Sequence, residues 1–240
     1  MRYVGGKQRI AKRIAEVILS GSPDADTYVE PFVGGGAVGA VLGSRFDHAA
    51  YSDSQEDLIL MWDALNRGEY FPEAITREEW EDLRGGPPSP LRGLAGFGGS
   101  FSGKWFSGYA KGGFQSDGTP RNHYGESLRR ARKDIVGMRG RISTSFTCQS
   151  YSNIVGAPGT VIYADPPYEG TYNYGVSFDH REFWATAGRW SFEGSDVYVS
   201  EYAAPEWAEV VLEAEIRVSS KTTAQGRNLV TERLFKVPAL

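Results

Sequence analysis

An α/β fold, a sheet with helices packed against it, is predicted by three stretches of this 240-residue chain. Tyr28-Val29-Glu30-Pro31-Phe32-Val33-Gly34-Gly35-Gly36-Ala37-Val38-Gly39 reads as a short strand, a glycine loop and the start of a small-residue helix. Ala49-Ala50-Tyr51-Ser52 reads as a second strand, ending at Asp53. Val161-Ile162-Tyr163-Ala164 reads as a buried strand that ends at Asp165, because Pro166 and Pro167 cannot donate to a sheet ladder.

Each stretch carries chemistry. Glycines let the backbone approach a ligand closely, and the N–H groups opening a helix suit an anionic or carboxylate-bearing group. Gly34, Gly36 and Gly39 satisfy G-x-G-x-x-G, and Asp53 stands where an acid accepts hydrogen bonds from ribose hydroxyls. This half is expected to bind a nucleoside; the fingerprint alone leaves a nicotinamide dinucleotide and S-adenosylmethionine both open. At the third stretch, two prolines fix φ and remove two donors, leaving an acceptor-rich corner. An exocyclic amino group placed there can donate to the Asp165 carboxylate and the Pro166 carbonyl, while Tyr168 offers a face for base stacking.

The remaining elements follow in order. Arg2-Tyr3-Val4-Gly5-Gly6-Lys7 precedes a helical pattern with Ile10, Ala11, Ile14, Val17 and Ile18 on one face. Leu58, Ile59, Met61, Trp62 and Leu65 mark a buried helix over 57–66, and 77–84 reads as another. Residues 85–113 hold ten Gly and three Pro among Phe97, Phe101, Trp105, Phe106 and Tyr109, and are expected to form insert loops that become ordered against a partner. A basic helix is expected over 122–136 and a further helix over 181–190. Strands are expected at 142–146, 197–199, 216–218 and 229–237, the last two forming an antiparallel pair around the polar stretch 219–227.

Composition narrows the classes. With 40% hydrophobic residues the chain suits one large domain or one domain with an insert. The single Cys148 excludes an intramolecular disulfide and is expected to be a packed, inert thiol; His48, His123 and His180 lack metal-ligand spacing, so no metal is expected. Neither a signal peptide nor a membrane span is indicated, and a cytoplasmic protein with no membrane partner is expected. The net charge of −4 is unevenly spread: residues 91–141 contain ten basic and three acidic residues, net +7, which leaves −11 elsewhere. A polyanion is therefore expected on one face only, with Lys104, Lys111, Arg121, Arg129, Arg130, Arg132 and Lys133 as candidate contacts.

Arg2 to Lys7, Glu30 to Gly36, Ser52-Asp53-Ser54, Phe146-Thr147-Cys148-Gln149-Ser150-Tyr151 and Tyr163-Ala164-Asp165-Pro166-Pro167-Tyr168 occur in the order and approximate spacing of the DNA adenine methylase (Dam) family, which the chain resembles over nearly its whole length. The resemblance implies a Rossmann-like, S-adenosylmethionine-dependent methyltransferase sheet from 1–66 and 142–240. A small, mainly helical target-recognition insert at 67–141 would bind double-stranded DNA. It further implies a cofactor site at Tyr3, Gly6, Lys7, Glu30, Phe32, Gly34, Gly36, Asp53 and Asp165, and a flipped adenine held by Asp165, Pro166, Pro167 and Tyr168. A bacterial or phage protein, monomeric or weakly dimeric, with a cognate restriction enzyme as a further partner, fits the same class. The family's Asn/Arg-rich stretch is replaced by Phe101-Ser102-Gly103-Lys104-Trp105-Phe106-Ser107-Gly108-Tyr109 and Gly113-Phe114-Gln115, so no recognition sequence carries over. Transfer to cytosine N4, an RNA base or protein glutamine, and nicotinamide-dependent oxidoreduction, are the alternatives. Asp at 165 favours adenine over the amide-directed relatives, and oxidoreduction gives the Asp-Pro-Pro-Tyr corner no role.

Overall fold

A computed structural model describes residues 1, 3–114, 116–168, 178–217 and 229–239. Among the described residues seven strands form one sheet: β1 (Thr27–Glu30), β2 (His48–Asp53), β3 (Ser143–Cys148), β4 (Thr160–Ala164), β5 (Asp196–Glu201), β6 (Glu209–Arg217) and β7 (Leu229–Val237). Their order is β3-β2-β1-β4-β5-β7-β6. The first five are parallel; β7 runs antiparallel to both β5 and β6. This is a Rossmann-like sheet, the fold expected from the motifs.

β4 lies near the middle and is buried along all five residues, which explains its unbroken apolar sequence. Its side chains alternate between two cores. Val161 and Tyr163 join one with Ile14, Leu58, Trp62, Leu128 and Met138; Ile162 and Ala164 join the other with Phe183, Trp190 and Val197. Helices α1 (Ala11–Gly21), α2 (Gly39–Leu42), α3 (Glu56–Arg67), α4 (Arg77–Gly85), α5 (Pro90–Gly98) and α6 (His123–Met138) precede β3; α7 (His180–Phe192) follows β4. α7 supplies Phe183, Ala187 and Trp190 to the second core.

The expected helices and strands at 57–66, 77–84, 122–136, 181–190 and 229–237 are present with small shifts in their ends. β6 begins at Glu209, seven residues before the expected strand; Val218, the stretch 219–227, Arg2 and Gln115 lie outside the described residues.

The reading of 85–113 as loops needs correction. Ser89 caps α5 by accepting from the Arg92 N–H, and Pro90 stands in its first turn, where its missing donor costs nothing. Glycine serves close packing here: a Cβ on Gly93 would fall 2.1 Å from the Asp57 carbonyl oxygen of α3. Phe97 and Phe106 are buried, each such side chain contributing roughly 1.5–3 kcal/mol, and α4, α5 and α6 share their core with α1 and α3. Among the segment's large aromatics Phe101 alone is exposed, and Phe114 just beyond it is exposed as well.

Candidate active site

The sheet order reverses between β1 and β4, so the crevice at their carboxyl ends is the place where an open α/β sheet binds ligands. Glu30, Asp53 and Asp165 end β1, end β2 and follow β4, respectively.

The glycine loop lies over this crevice. Gly34 and Gly36 have φ of 44° and 66°, a region that side chains disfavour. A Cβ on Gly34 would meet the Tyr3 ring at 2.9 Å, and one on Gly36 would meet Trp62 and Met138 at 3.0 Å. Trp62 Nε1 donates to the Gly34 carbonyl at 3.0 Å, while Asp53 Oδ2 accepts from the Gly34 N–H at 3.1 Å and Oδ1 from the Gln55 N–H at 3.0 Å. Burial raises the Asp53 pKa against the opposing effect of these N–H groups. Glu30 is buried beneath the loop, where Tyr28 Oη donates to Oε2 at 2.9 Å and the Gly39 N–H also donates; burial pushes its pKa well up. Tyr3 packs on Phe97 with ring centroids 4.9 Å apart, and Gly6 lies beside Gln8. Phe32 packs against Tyr151 at 5.3 Å and Phe178 at 5.9 Å.

The second half of the site is organised by Lys7, whose side chain is only 4% exposed. Its carbonyl accepts from the Ile10 and Ala11 N–H groups, which fixes it on the turn into α1. Nζ lies 2.8 Å from Asp165 Oδ1 and 3.6 Å from Glu232 Oε2, donates to the Gly5 carbonyl at 2.9 Å, and stands 4.6 Å from the Tyr168 ring centroid. Burial alone would lower the Lys7 pKa, but the two carboxylates outweigh it and hold the amine above its usual value. Asp165 is raised, chiefly by burial and in part by Glu232, with Lys7 opposing. Pro166 is buried and Pro167 exposed.

Tyr168 differs from the expected open stacking face. It is 8% exposed, its hydroxyl donates to Glu232 Oε2 at 2.8 Å, and its ring meets Tyr202 edge-on at 4.5 Å. Glu232 and Tyr202 escaped the sequence reading. The available signal was a glutamate two positions before Leu234 in an alternating strand, on a row that faces inward. Cys148 corrects another expectation: it is exposed, although desolvation, Glu56 and Asp53 raise its thiol pKa and so keep it weakly nucleophilic.

The basic segment divides as well. Lys104, Lys111, Arg129, Arg130 and Lys133 are exposed, the last three on α6. Arg121 pairs with Glu126 at 2.8 Å and Arg132 with Glu73 at 2.5 Å, each retaining an exposed side chain. Arg92, counted in the same surplus, is instead consumed by Asp57 and lies over Trp105 and Phe106. A cavity of about 370 Å³ lies between the N-terminal arm and this segment, lined by Tyr3, Phe101, Lys111, His123 and Arg130 among others. No described helix is long and apolar enough to cross a membrane.

Residues 3–87 match the family model of D12 class N6 adenine-specific DNA methyltransferases, in agreement with the resemblance carried by the motifs. The chain is 32% identical over 68 residues to the Type II methyltransferase M.CviBI of Paramecium bursaria Chlorella virus NC1A, a match spanning 28% of this chain and 25% of that protein. Among solved structures, it is similar to the SAM-bound magnesium protoporphyrin IX methyltransferase of Synechocystis PCC 6803 at 8% identity, covering 95% of this chain and 77% of that one with a TM-score of 0.42. It is also similar to the putative methyltransferase yhhF of Escherichia coli at 13% identity, covering 100% and 99% of the two chains with a TM-score of 0.38.

Proposed function

We propose that this protein transfers a methyl group from S-adenosylmethionine to N6 of an adenine turned out of double-stranded DNA. The observation that carries this reading is the juxtaposition, at one sheet crevice, of a glycine cradle closed by Asp53 with the Asp165 to Tyr168 corner. The match of residues 3–87 to the adenine-specific family supports the choice of acceptor.

The cradle suits the cofactor because Gly34 and Gly36 hold the loop in a positive-φ turn packed directly on Tyr3, Trp62 and Met138, and Asp53 can accept from a ribose hydroxyl with lone pairs left beside its two N–H bonds. Phe32, Gly34, Gly36 and Asp53 hold it, with Tyr3, Gly6 and Glu30 supporting the loop around them. When bound, the cofactor supplies a methyl carbon made electrophilic by its sulfonium. Asp165 and the Pro166 carbonyl accept the two N6 hydrogens, which draws the nitrogen lone pair out of ring conjugation and aims it. On accepting the methyl group, N6 would gain positive charge and would then pass one of its two hydrogens, as a proton, by way of Asp165 to water. Asp165 stabilises that charge, and Lys7 keeps the aspartate ionised and oriented. The chain's contribution is thus positioning and electrostatics, with base extrusion costing a few kcal/mol.

Residues 67–141 serve as the target-recognition insert in this reading, and residues 1–66 and 142–240 as the catalytic part. Lys104, Lys111, Arg129, Arg130 and Lys133 face phosphates, with Arg121 and Arg132 recruited from their surface ion pairs. A cognate restriction enzyme is the further partner this class implies, tested by whether expression protects DNA from such an enzyme. The reading itself is tested by incubating the protein with S-adenosylmethionine and a random-sequence duplex library, followed by nucleoside mass spectrometry. N6-methyladenine is expected; N4-methylcytosine, or no methylated nucleoside, overturns it.

A further inference from the structure

Glu232 stands on β7, in the closing hairpin of the sheet and 225 positions after Lys7, yet it meets both Lys7 and Tyr168. A buried carboxylate carries a desolvation cost of several kcal/mol, which the strand alone gives no reason to accept. Its only described partners lie in the catalytic corner, where one oxygen, Oε2, receives the Tyr168 hydroxyl and faces the Lys7 amine. We propose that Glu232 is a positioning residue for methyl transfer, fixing the Tyr168 ring through its hydroxyl and sharing the Lys7 charge with Asp165. This rests on the reading of Asp165 and Tyr168 as the adenine-holding corner.

The geometry explains why one acid has both tasks. Tyr168 turns on two side-chain torsions; with its hydroxyl bonded and its edge against Tyr202, the ring has one place to be. Burial, Asp165 and Glu232 all raise the Tyr168 pKa, so the phenol remains a donor. Lys7 sits between two acids, closer to Asp165 at 2.8 Å than to Glu232 at 3.6 Å. Asp165 is thereby left less tightly neutralised than in an exclusive pair, and better able to accept from a substrate amine.

The titration of Asp165 makes this division measurable. Lys7 from the N-terminal turn, Glu232 from β7 and Tyr168 act on it, and its own charge raises Tyr163 on β4, Glu30 on β1 and Tyr202, which follows β5. Of these, Glu232→Gln changes one charge while keeping an acceptor for Tyr168. Removing a nearby negative charge favours ionisation of Asp165. The acid limb of the methylation rate should then move to lower pH.

The test is single-turnover methylation of duplex DNA across pH by the full chain, with S-adenosylmethionine affinity and melting temperature measured in parallel. Glu232→Gln should retain most of the plateau rate and shift the acid limb downward. Glu232→Ala and Tyr168→Phe should each lower the plateau roughly tenfold, and the double variant should fall little further, because both remove one unit. Multiplicative losses in the double variant, or an unmoved acid limb in Glu232→Gln, overturn the inference while leaving the methyltransferase reading in place. Failure of the unaltered protein to form N6-methyladenine overturns that reading and the inference with it.

Discussion

The crevice at the ends of β1, β2 and β4 and the helical segment 77–138 use charge in opposite ways. In the crevice Lys7 is buried and held by two carboxylates; on α6 Arg129, Arg130 and Lys133 are exposed. A buried cation fixes geometry, because leaving either acid without it is costly, whereas exposed cations contribute little to folding and remain available to a polyanion. The same contrast recurs inside the basic segment, where Arg92 is part of the packing and Arg129 is not. A count of charges along the chain merges these two populations.

The largest effect expected from breaking the comparison is at Lys7. Lys7→Met should abolish methylation and cost about 3–5 kcal/mol of stability by urea unfolding, since Asp165 and Glu232 lose their shared cation. A variant of unaltered stability would mean that the crevice charge is as dispensable as a surface pair. The aromatics give the next contrast: Phe97→Ala should destabilise by about 3–5 kcal/mol, while Phe101→Ala, at a side chain 69% exposed, should change stability by less than about 0.5 kcal/mol and act on DNA binding instead.

A smaller effect concerns Glu30. Its pKa is raised well above the ordinary carboxylate value by burial, so the folded protein keeps a proton that the unfolded chain releases. In the window between those two values the native state binds more protons, and this group's contribution to stability falls as pH rises. Glu30→Gln should flatten that slope in the absence of cofactor while preserving an acceptor for Tyr28; an unchanged slope would locate the raised carboxylate elsewhere. The smallest effect is at α6: Arg129→Ala should lower the salt dependence of DNA affinity by about one unit and leave cofactor affinity and folding unchanged. Loss of cofactor affinity in that variant would dissolve the proposed division.

Much of this was legible because the relevant constraints are local. The Asp165-Pro166-Pro167 step ends β4 wherever it occurs, Gly34 and Gly36 announce a loop that side chains could not follow, and Asp53 closes β2 onto that loop. What escaped depends on contacts distant in sequence. Gly93 and Gly96 looked like loop residues because nothing nearby in the chain reveals that α5 must pass within glycine distance of Asp57 and Trp105. Glu232 went unmarked on its strand because its partners, Lys7 and Tyr168, lie far away along the chain. The glycine-rich composition was informative, but about packing rather than mobility.

The most direct test of the division between chemistry and capture is the single-turnover methylation rate measured against DNA concentration. Asp165→Asn should lower the plateau rate sharply with its half-saturating DNA concentration little changed. The pair Arg129→Ala/Lys133→Ala should raise the half-saturating concentration at an unchanged plateau. A lowered plateau from the α6 pair at saturating DNA, or an altered DNA half-saturation with an intact plateau from Asp165→Asn, would contradict the account.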